Sequence, residues 1–311
     1  MELKLIQKSG KRAEVPVSDA RWHTRTGGAG ILEFSSPWTA VRAAEGDRVK
    51  LSHRGTPVFD GFVFQTESNG KGQSALCYDR LKYLLYKDTR VFQNRTARQI
   101  AEEILRERRL EAGTFTETGY VLPLLAMEGR PLLEMIRKAL EETRTATGRE
   151  FVFYDACGKI VLREAADNPA GVLICGENQL ISYRKVSDID GDTFNRFKIW
   201  QEDGRSGFRR VTVADDGQAQ EKWGVLQYFE RVDSRLNPAQ VAGRIQALRE
   251  AKCQARLTLE TECLADPACR AGRTVLVRLE SGGAVETCLI EEAEQRFSGG
   301  AGRMHLKLRK L

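Results

Sequence analysis

Residues 46–78 read GDRVKLSHRGTPVFDGFVFQTESNGKGQSALCY, three alternating runs separated by glycine-containing turns. Arg48-Val49-Lys50-Leu51 follows the pair Gly46-Asp47, Gly55-Thr56-Pro57 leads into Val58 to Phe64, and Asn69-Gly70-Lys71-Gly72 leads into Gln73 to Tyr78. Alternation with period two places side chains on opposite faces of a strand, and short Gly turns connect neighbours antiparallel. The stretch therefore predicts an antiparallel meander, the material of a small barrel or sandwich. Upstream, Ile31-Leu32-Glu33-Phe34 adds a strand after the loop Gly27-Gly28-Ala29-Gly30.

Beyond Tyr78 the pattern changes. Thr96-Ala97-Arg98-Gln99 has capping-box form and opens a helix with Ala97, Ile100, Ala101, Ile104 and Leu105 on one face. A second helix starts near Pro131, carries Leu132, Leu133, Ile136, Ala139 and Leu140, and stops near Gly148. Phe151 to Tyr154 then pairs with Lys159 to Leu162 across Cys157-Gly158. Strands return at Phe194 to Trp200, Arg209 to Val213 and Gly224 to Phe229, and a helix from Asn237-Pro238 (Val241, Ile245, Leu248) interrupts them. Leu257 to Leu259, Thr274 to Leu279, Val285 to Ile290 and Met304 to Leu308 complete the series, the last with Met304, Leu306 and Leu308 on a core face. The expected organisation is mainly β with α+β parts. Residues 1–87 form an N-terminal β-barrel, 88–172 a small α/β domain, and 173–311 a second barrel with a helical insertion around 235–264. Gly46 to Phe64 is echoed by Gly272 to Ile290: a glycine, a strand, a Gly turn and a strand.

The 311 residues carry a net charge of +6, too mild for a dedicated nucleic-acid binder. The surplus is densest in residues 1–87, with 14 basic against 9 acidic groups. No run approaches a membrane span or a signal peptide, so no membrane partner is expected. Seven scattered cysteines (Cys77, Cys157, Cys175, Cys253, Cys263, Cys269, Cys288) read as free thiols of a chain synthesised in a reducing cytosol.

Chemistry is hard to find. Three dispersed histidines (His23, His53, His305) and the lack of any Cys-x-x-Cys pair argue against zinc. Asp188-Ile189-Asp190-Gly191-Asp192 has calcium-loop character, but Gly191 is fourth where sixth is required and Ile199 stands at the twelfth place; it reads as a turn. The groups Gly27-Gly28-Ala29-Gly30 and Gly299-Gly300-Ala301-Gly302 match no phosphate-cradling pattern and read as hairpin loops or as tips that order against a partner. No Gly-x-Ser-x-Gly elbow occurs. Glu102-Glu103, Glu141-Glu142 and Glu291-Glu292 are not singled out as acid and base. The expectation is no enzyme, no catalytic or metal residue and no cofactor.

Several stretches in order carry a resemblance. Trp22 precedes the Gly-rich turn and Ile31-Leu32-Glu33-Phe34. Then follow Gly46-Asp47-Arg48-Val49, Val58-Phe59-Asp60-Gly61, Cys77-Tyr78-Asp79-Arg80-Leu81, Asn94-Arg95-Thr96-Ala97, Gly158-Lys159-Ile160, Asn195-Arg196 and Trp223-Gly224-Val225-Leu226-Gln227. The chain resembles the XkdQ/YqbQ-type hub proteins of phages and phage-like contractile tails. It departs at Gly272-Arg273, where the resemblance implies a Gly-Asp pair.

The resemblance implies a baseplate hub, a structural protein linking tail tube to central spike and organising assembly. It implies two small β-barrels per chain and a homotrimer with pseudo-sixfold barrel symmetry, matching six tube subunits above to three spike subunits below. Tube, spike, and baseplate wedge or LysM-type proteins are the implied partners, and the particle's tail tip the implied location. Two other classes compete: an oligonucleotide-binding β-barrel, which needs an exposed groove of interleaved aromatic and basic residues, and a cell-wall-binding or hydrolysing tail subunit, which needs an acidic pair in a cleft.

Overall fold

The meander read at residues 46–78 stands in the computed structural model as three strands of a larger sheet. The structure describes residues 1–37, 41–202, 208–297 and 302–311; Gly299, Gly300 and Ala301 of the second Gly-rich loop lie outside them. By contacts the chain divides into two units, one of residues 1–143, 149–185 and 258–311, the other of 144–148 and 186–257. The fold is mostly β.

In the larger unit the first strands are β1 (Glu2–Ile6), β2 (Arg12–Val15), β3 (Asp19–Arg25), β4 (Ile31–Pro37), β5 (Arg48–His53), β6 (Thr56–Asn69) and β7 (Gly72–Tyr78). Leu3, Leu5, Trp22, Leu32, Phe34, Val49, Leu51 and Cys77 alternate into one core. A 3-10 turn, Arg80–Leu84, leads to β8 (Lys87–Thr96), α1 (Ala97–Glu107), β9 (Ala112–Phe115), β10 (Val121–Pro131), α2 (Leu132–Thr147), β11 (Phe151–Ala156) and β12 (Lys159–Glu164). Thr96 accepts from Gln99 N–H while Gln99 answers to Thr96 N–H, a reciprocal cap contributing about 1 kcal/mol. Ile100 and Ile104 of α1 and Leu133 and Ile136 of α2 are buried together with Phe153 and Leu162, each large apolar side chain contributing about 1.5–3 kcal/mol. β11 and β12 form the hairpin expected across Cys157-Gly158.

Next come β13 (Pro169–Cys175), β14 (Leu180–Asp188), β15 (Arg196–Glu202), β16 (Arg209–Asp215), α3 (Gly217–Trp223), β17 (Gln227–Arg231) and α4 (Pro238–Lys252). β18 (Arg256–Leu264), β19 (Thr274–Arg278), β20 (Glu286–Phe297) and β21 (Arg303–Lys310) end the chain. Elements β15 to α4 make the second unit, where Phe197 and Ile199 pack with Val241, Ile245 and Leu248. Asn237 caps α4 reciprocally with Gln240. In β21, Met304, Leu306 and Leu308 are buried.

The echo between the two ends is topological. The first strand set pairs in the order β1-β5-β6-β7-β4-β3, the last in the order β13-β19-β20-β21-β18-β14. Replacing each member of one by its counterpart gives the other, except that β13 runs parallel to β19 where β1 is antiparallel to β5. Both long strands carry a bulge at the same place: between Val63 and Gln65 opposite Cys77 and Leu76, and between Ile290 and Glu292 opposite Leu308 and Lys307. The two sets are joined into one sheet by β20 pairing with β3, Arg296 opposite Arg21.

Candidate functional site

The motif Cys77-Tyr78-Asp79-Arg80-Leu81 sits where the first strand set meets the helical core. The Asp79 carboxylate is buried and accepts from Leu81 N–H at 3.0 Å, starting the 3-10 turn, and from Gly30 N–H at 2.8 Å. A Cβ on Gly30 would stand 2.6 Å from Asp79 Oδ2, so the glycine of the β3–β4 hairpin loop is what admits the carboxylate. Burial, with the charge of Asp155 as a lesser cause, pushes the Asp79 carboxyl well above the ordinary carboxylate range.

Arg80 beside it is also largely enclosed. Its guanidinium donates to Asp60 O at 2.9 Å and Oδ1 at 3.3 Å and lies 3.6 Å from Asp155 Oδ2. Arg48 grips Asp60 with two hydrogen bonds of 2.7 Å, and Lys50 stands 3.5 Å away. Burial pushes the Asp60 carboxyl up, but the Arg48 bonds and the charges of Arg80 and Lys50 outweigh it and hold the group low. Asp155 accepts from Arg80 N–H and Gly158 N–H. Arg270 donates to Asp155 O and lies over the Tyr154 and Trp22 rings at 4.4 and 5.7 Å. Every carboxylate here is committed to backbone N–H groups or arginines. The constellation locks strands, turn and hairpin together, because a buried charge persists only when paired and hydrogen-bonded.

The other residues singled out by sequence stay apart. His23 meets Glu292 at 2.6 Å, His53 packs on Phe297 and His305 stands on β21. The seven cysteines are free; burial pushes the Cys157 and Cys288 thiols to about 11 and raises those of Cys77 and Cys269 further, which removes thiolate nucleophiles. Asp192 of the aspartate-rich turn pairs with Lys252. Among the described residues no three His, Cys, Asp or Glu side chains could hold a metal ion, and no helix is long and apolar enough to cross a membrane.

What the molecule exposes is strand. Among the described residues β14 pairs only with β18, with Ile181 and Tyr183 exposed on it, and β6 beyond its bulge pairs only with β7. In the second unit one sheet face packs on α4, while the other carries Val211, Val213 and Phe229 exposed around Trp200. Arg209 and Arg231 each lie 5.0 Å from the Trp200 ring and Lys198 5.9 Å from that of Phe229. Periodicity at Phe194 to Trp200 signalled this sheet, but not which face would remain open.

Comparison with known proteins places this architecture. The chain is 29% identical over 280 residues to the uncharacterized protein YqbQ of Bacillus subtilis strain 168, covering 89% of this chain and 85% of that one. It is 27% identical over 274 residues to XkdQ, a phage-like element PBSX protein of the same organism, covering 87% and 83%. Among solved structures, the 43 kDa tail protein of prophage MuSo2 from Shewanella oneidensis superposes with a TM-score of 0.69 at 15% identity, over 99% of this chain and 98% of that one. The fold is thus that of phage tail proteins. The model of the YQBQ-like family matches residues 20–309, the stretch from β3 to β21, and the chain belongs to that family.

Proposed function

We infer that the chain is the baseplate hub of a phage or phage-like particle, a non-enzymatic piece linking the tail tube to the central spike. The observation that carries this reading is the repeated strand order. A connector between a sixfold tube and a threefold spike needs two similar halves per subunit, so that three chains present six equivalent positions around one axis. The sets β1 to β7 and β13 to β21 supply such halves. In this reading residues 1–87 build one β-barrel, 88–172 the α/β part and 173–311 the second barrel. The insertion expected around 235–264 is instead the larger stretch 186–257, because β15 to β17 form their own sheet with α4 and Arg256–Leu264 is strand β18 of the barrel set. The chain is a homotrimer. Its partners are the tube protein, the spike and baseplate wedge or LysM-type proteins, and it is made in the bacterial cytoplasm before joining the particle. The locked carboxylates around Asp79 fit a load-transmitting joint rather than a catalytic cleft.

Image reconstruction of particles containing this chain tests the reading. Three copies at the junction of tube and spike, with six similar strand sets around the channel, are expected. Six copies in one ring, or density elsewhere in the particle, would overturn it.

A further inference from the structure

The chain already contains one junction between a first and a second strand set, and that junction has an unused counterpart. Beyond its bulge, β20 pairs on one edge with β21 and on the other with β3. At the equivalent place β6 pairs with β7 and leaves its other edge, Gln65 to Asn69, without a strand among the described residues. The counterpart of β3 is β14, whose outer edge likewise carries no strand among the described residues. One chain cannot satisfy both edges as it satisfies β20 and β3, but two copies can.

We propose that β14 of one copy adds antiparallel to the free edge of β6 in the next copy, repeating between chains the β3–β20 joint made within each chain. This rests on the hub reading and names the surface that closes its ring. The register follows from the internal joint. Val63 corresponds to Ile290 through the shared bulge, so Glu67 corresponds to Glu294 and Asn69 to Arg296. Arg184 stands to Glu260 as Arg21 stands to Glu33, at 3.7 and 3.6 Å. Within the chain Arg21 lies opposite Arg296 and reaches across to Glu294 at 2.6 Å. Between chains Arg184 therefore lies opposite Asn69 and reaches Glu67. The charges are in place: Glu67 has no ion pair among the described residues, and the Arg184 side chain is 73% exposed where Arg21 is 42%. Exposed Ile181 and Tyr183 on β14 are the apolar groups this pairing would cover. Strand addition satisfies backbone groups that an open edge leaves to water and removes an aggregation hazard. Because the two edges are different surfaces, the contact is heterologous and closes by rotation.

The test uses the full chain with Asn69→Cys and Arg184→Cys together. Oxidation should yield covalently closed rings of three, while mixing the two single variants should yield dimers only. Arg21→Cys with Arg296→Cys, the internal equivalent, should close within one chain and serves as the geometric control. As a second reading, Arg184→Glu should shift the oligomer-to-monomer midpoint at least tenfold in concentration, and adding Glu67→Arg should restore it. Rings of three that neither cross-link at this pair nor respond to the charge swap would overturn the interface and leave the hub standing. A chain monomeric at every concentration would overturn both.

Discussion

Two corners of the sheet share a backbone and differ in charge. Before β5, Asp47 N–H donates to Ala44 O, Gly46 N–H to Val63 O, and Val63 N–H to Asp47 O. Before β19, Arg273 N–H donates to Arg270 O, Gly272 N–H to Ile290 O, and Ile290 N–H to Arg273 O. The glycines have φ of +85° and +88°, a region open to Gly at little cost. Yet the next residue is an aspartate in one corner and an arginine in the other. Asp47 accepts from Ala44 N–H at 3.0 Å and Lys8 N–H at 3.2 Å. Arg273 donates to Pro169 O at 2.5 Å and to Ala268 O. The glycine and the ladder impose the corner; the side chain that follows only matches whichever backbone groups, donors or acceptors, lie unpaired nearby. This explains the departure from a Gly-Asp pair at residue 273.

A second substitution follows the same logic. Gln73 holds Ala43 through both its N–H and its C=O, and Gln295 donates to Cys269 O. Ala43 and Cys269 both stand three residues before the corner glycine. The clamp has moved from β7 to β20, because residues opposite each other on a ladder point to the same face and can do the same work.

The largest break in this symmetry comes from the second core. Leu306→Asp places an unpaired charge at a position only 2% exposed and should cost about 4 kcal/mol; unchanged denaturant midpoints would refute the packing of β21. Next, Gly272→Ala should cost about 2–3 kcal/mol, since the left-handed conformation is strained and the new Cβ would stand 2.9 Å from the Tyr154 ring. Gly46→Ala should cost about 1–2 kcal/mol, because it meets only the movable end of Lys8. Equal losses in paired urea melts would deny that the corners differ in packing. The third pair tests the charge. Asp47→Ala strands two N–H donors and should cost about 2 kcal/mol, whereas Arg273→Ala at a surface site should stay within about 0.5 kcal/mol; the reverse ranking would sink the argument.

The smallest effect is a pH dependence seated in the first half. The folded-state pKa of Asp79 lies above its unfolded value, so the folded state binds the proton more tightly. That stability is complete below the unfolded pKa and is lost as pH rises through the folded one. Asp79→Asn keeps an acceptor for Gly30 N–H without the charge. Relative to the parent, the variant should gain steadily as the pH rises from about 4 to about 8. A parallel pair of stability–pH curves would contradict this assignment.

Legibility followed periodicity. The meander, the three long helices α1, α2 and α4 and the final strand were readable, because one-sided burial leaves a period of 2 or 3.6 in the chain. β8 and β10 were not: Phe92, Leu122 and Leu125 are buried, but most of both strands is exposed and no alternation marks them. β14, almost wholly exposed, and the short α3, with no buried residue, were silent for the same reason. The Asp79 motif was legible as a family signature but not as a joint, since its partners Gly30, Asp60 and Asp155 are brought together only by folding.

The amino-acid sequence by itself determined the local elements, the capped helix starts, the glycine corners and the absence of recognisable ligand spacings, all of which depend on neighbours within a few residues. Tertiary structure alone decided that the strand sets repeat one order, that β20 and β3 join them, and which edges stay open. Strand partners are chosen by burial and hydrogen bonding over separations such as the 273 residues between Arg21 and Glu294, and no local pattern encodes that choice.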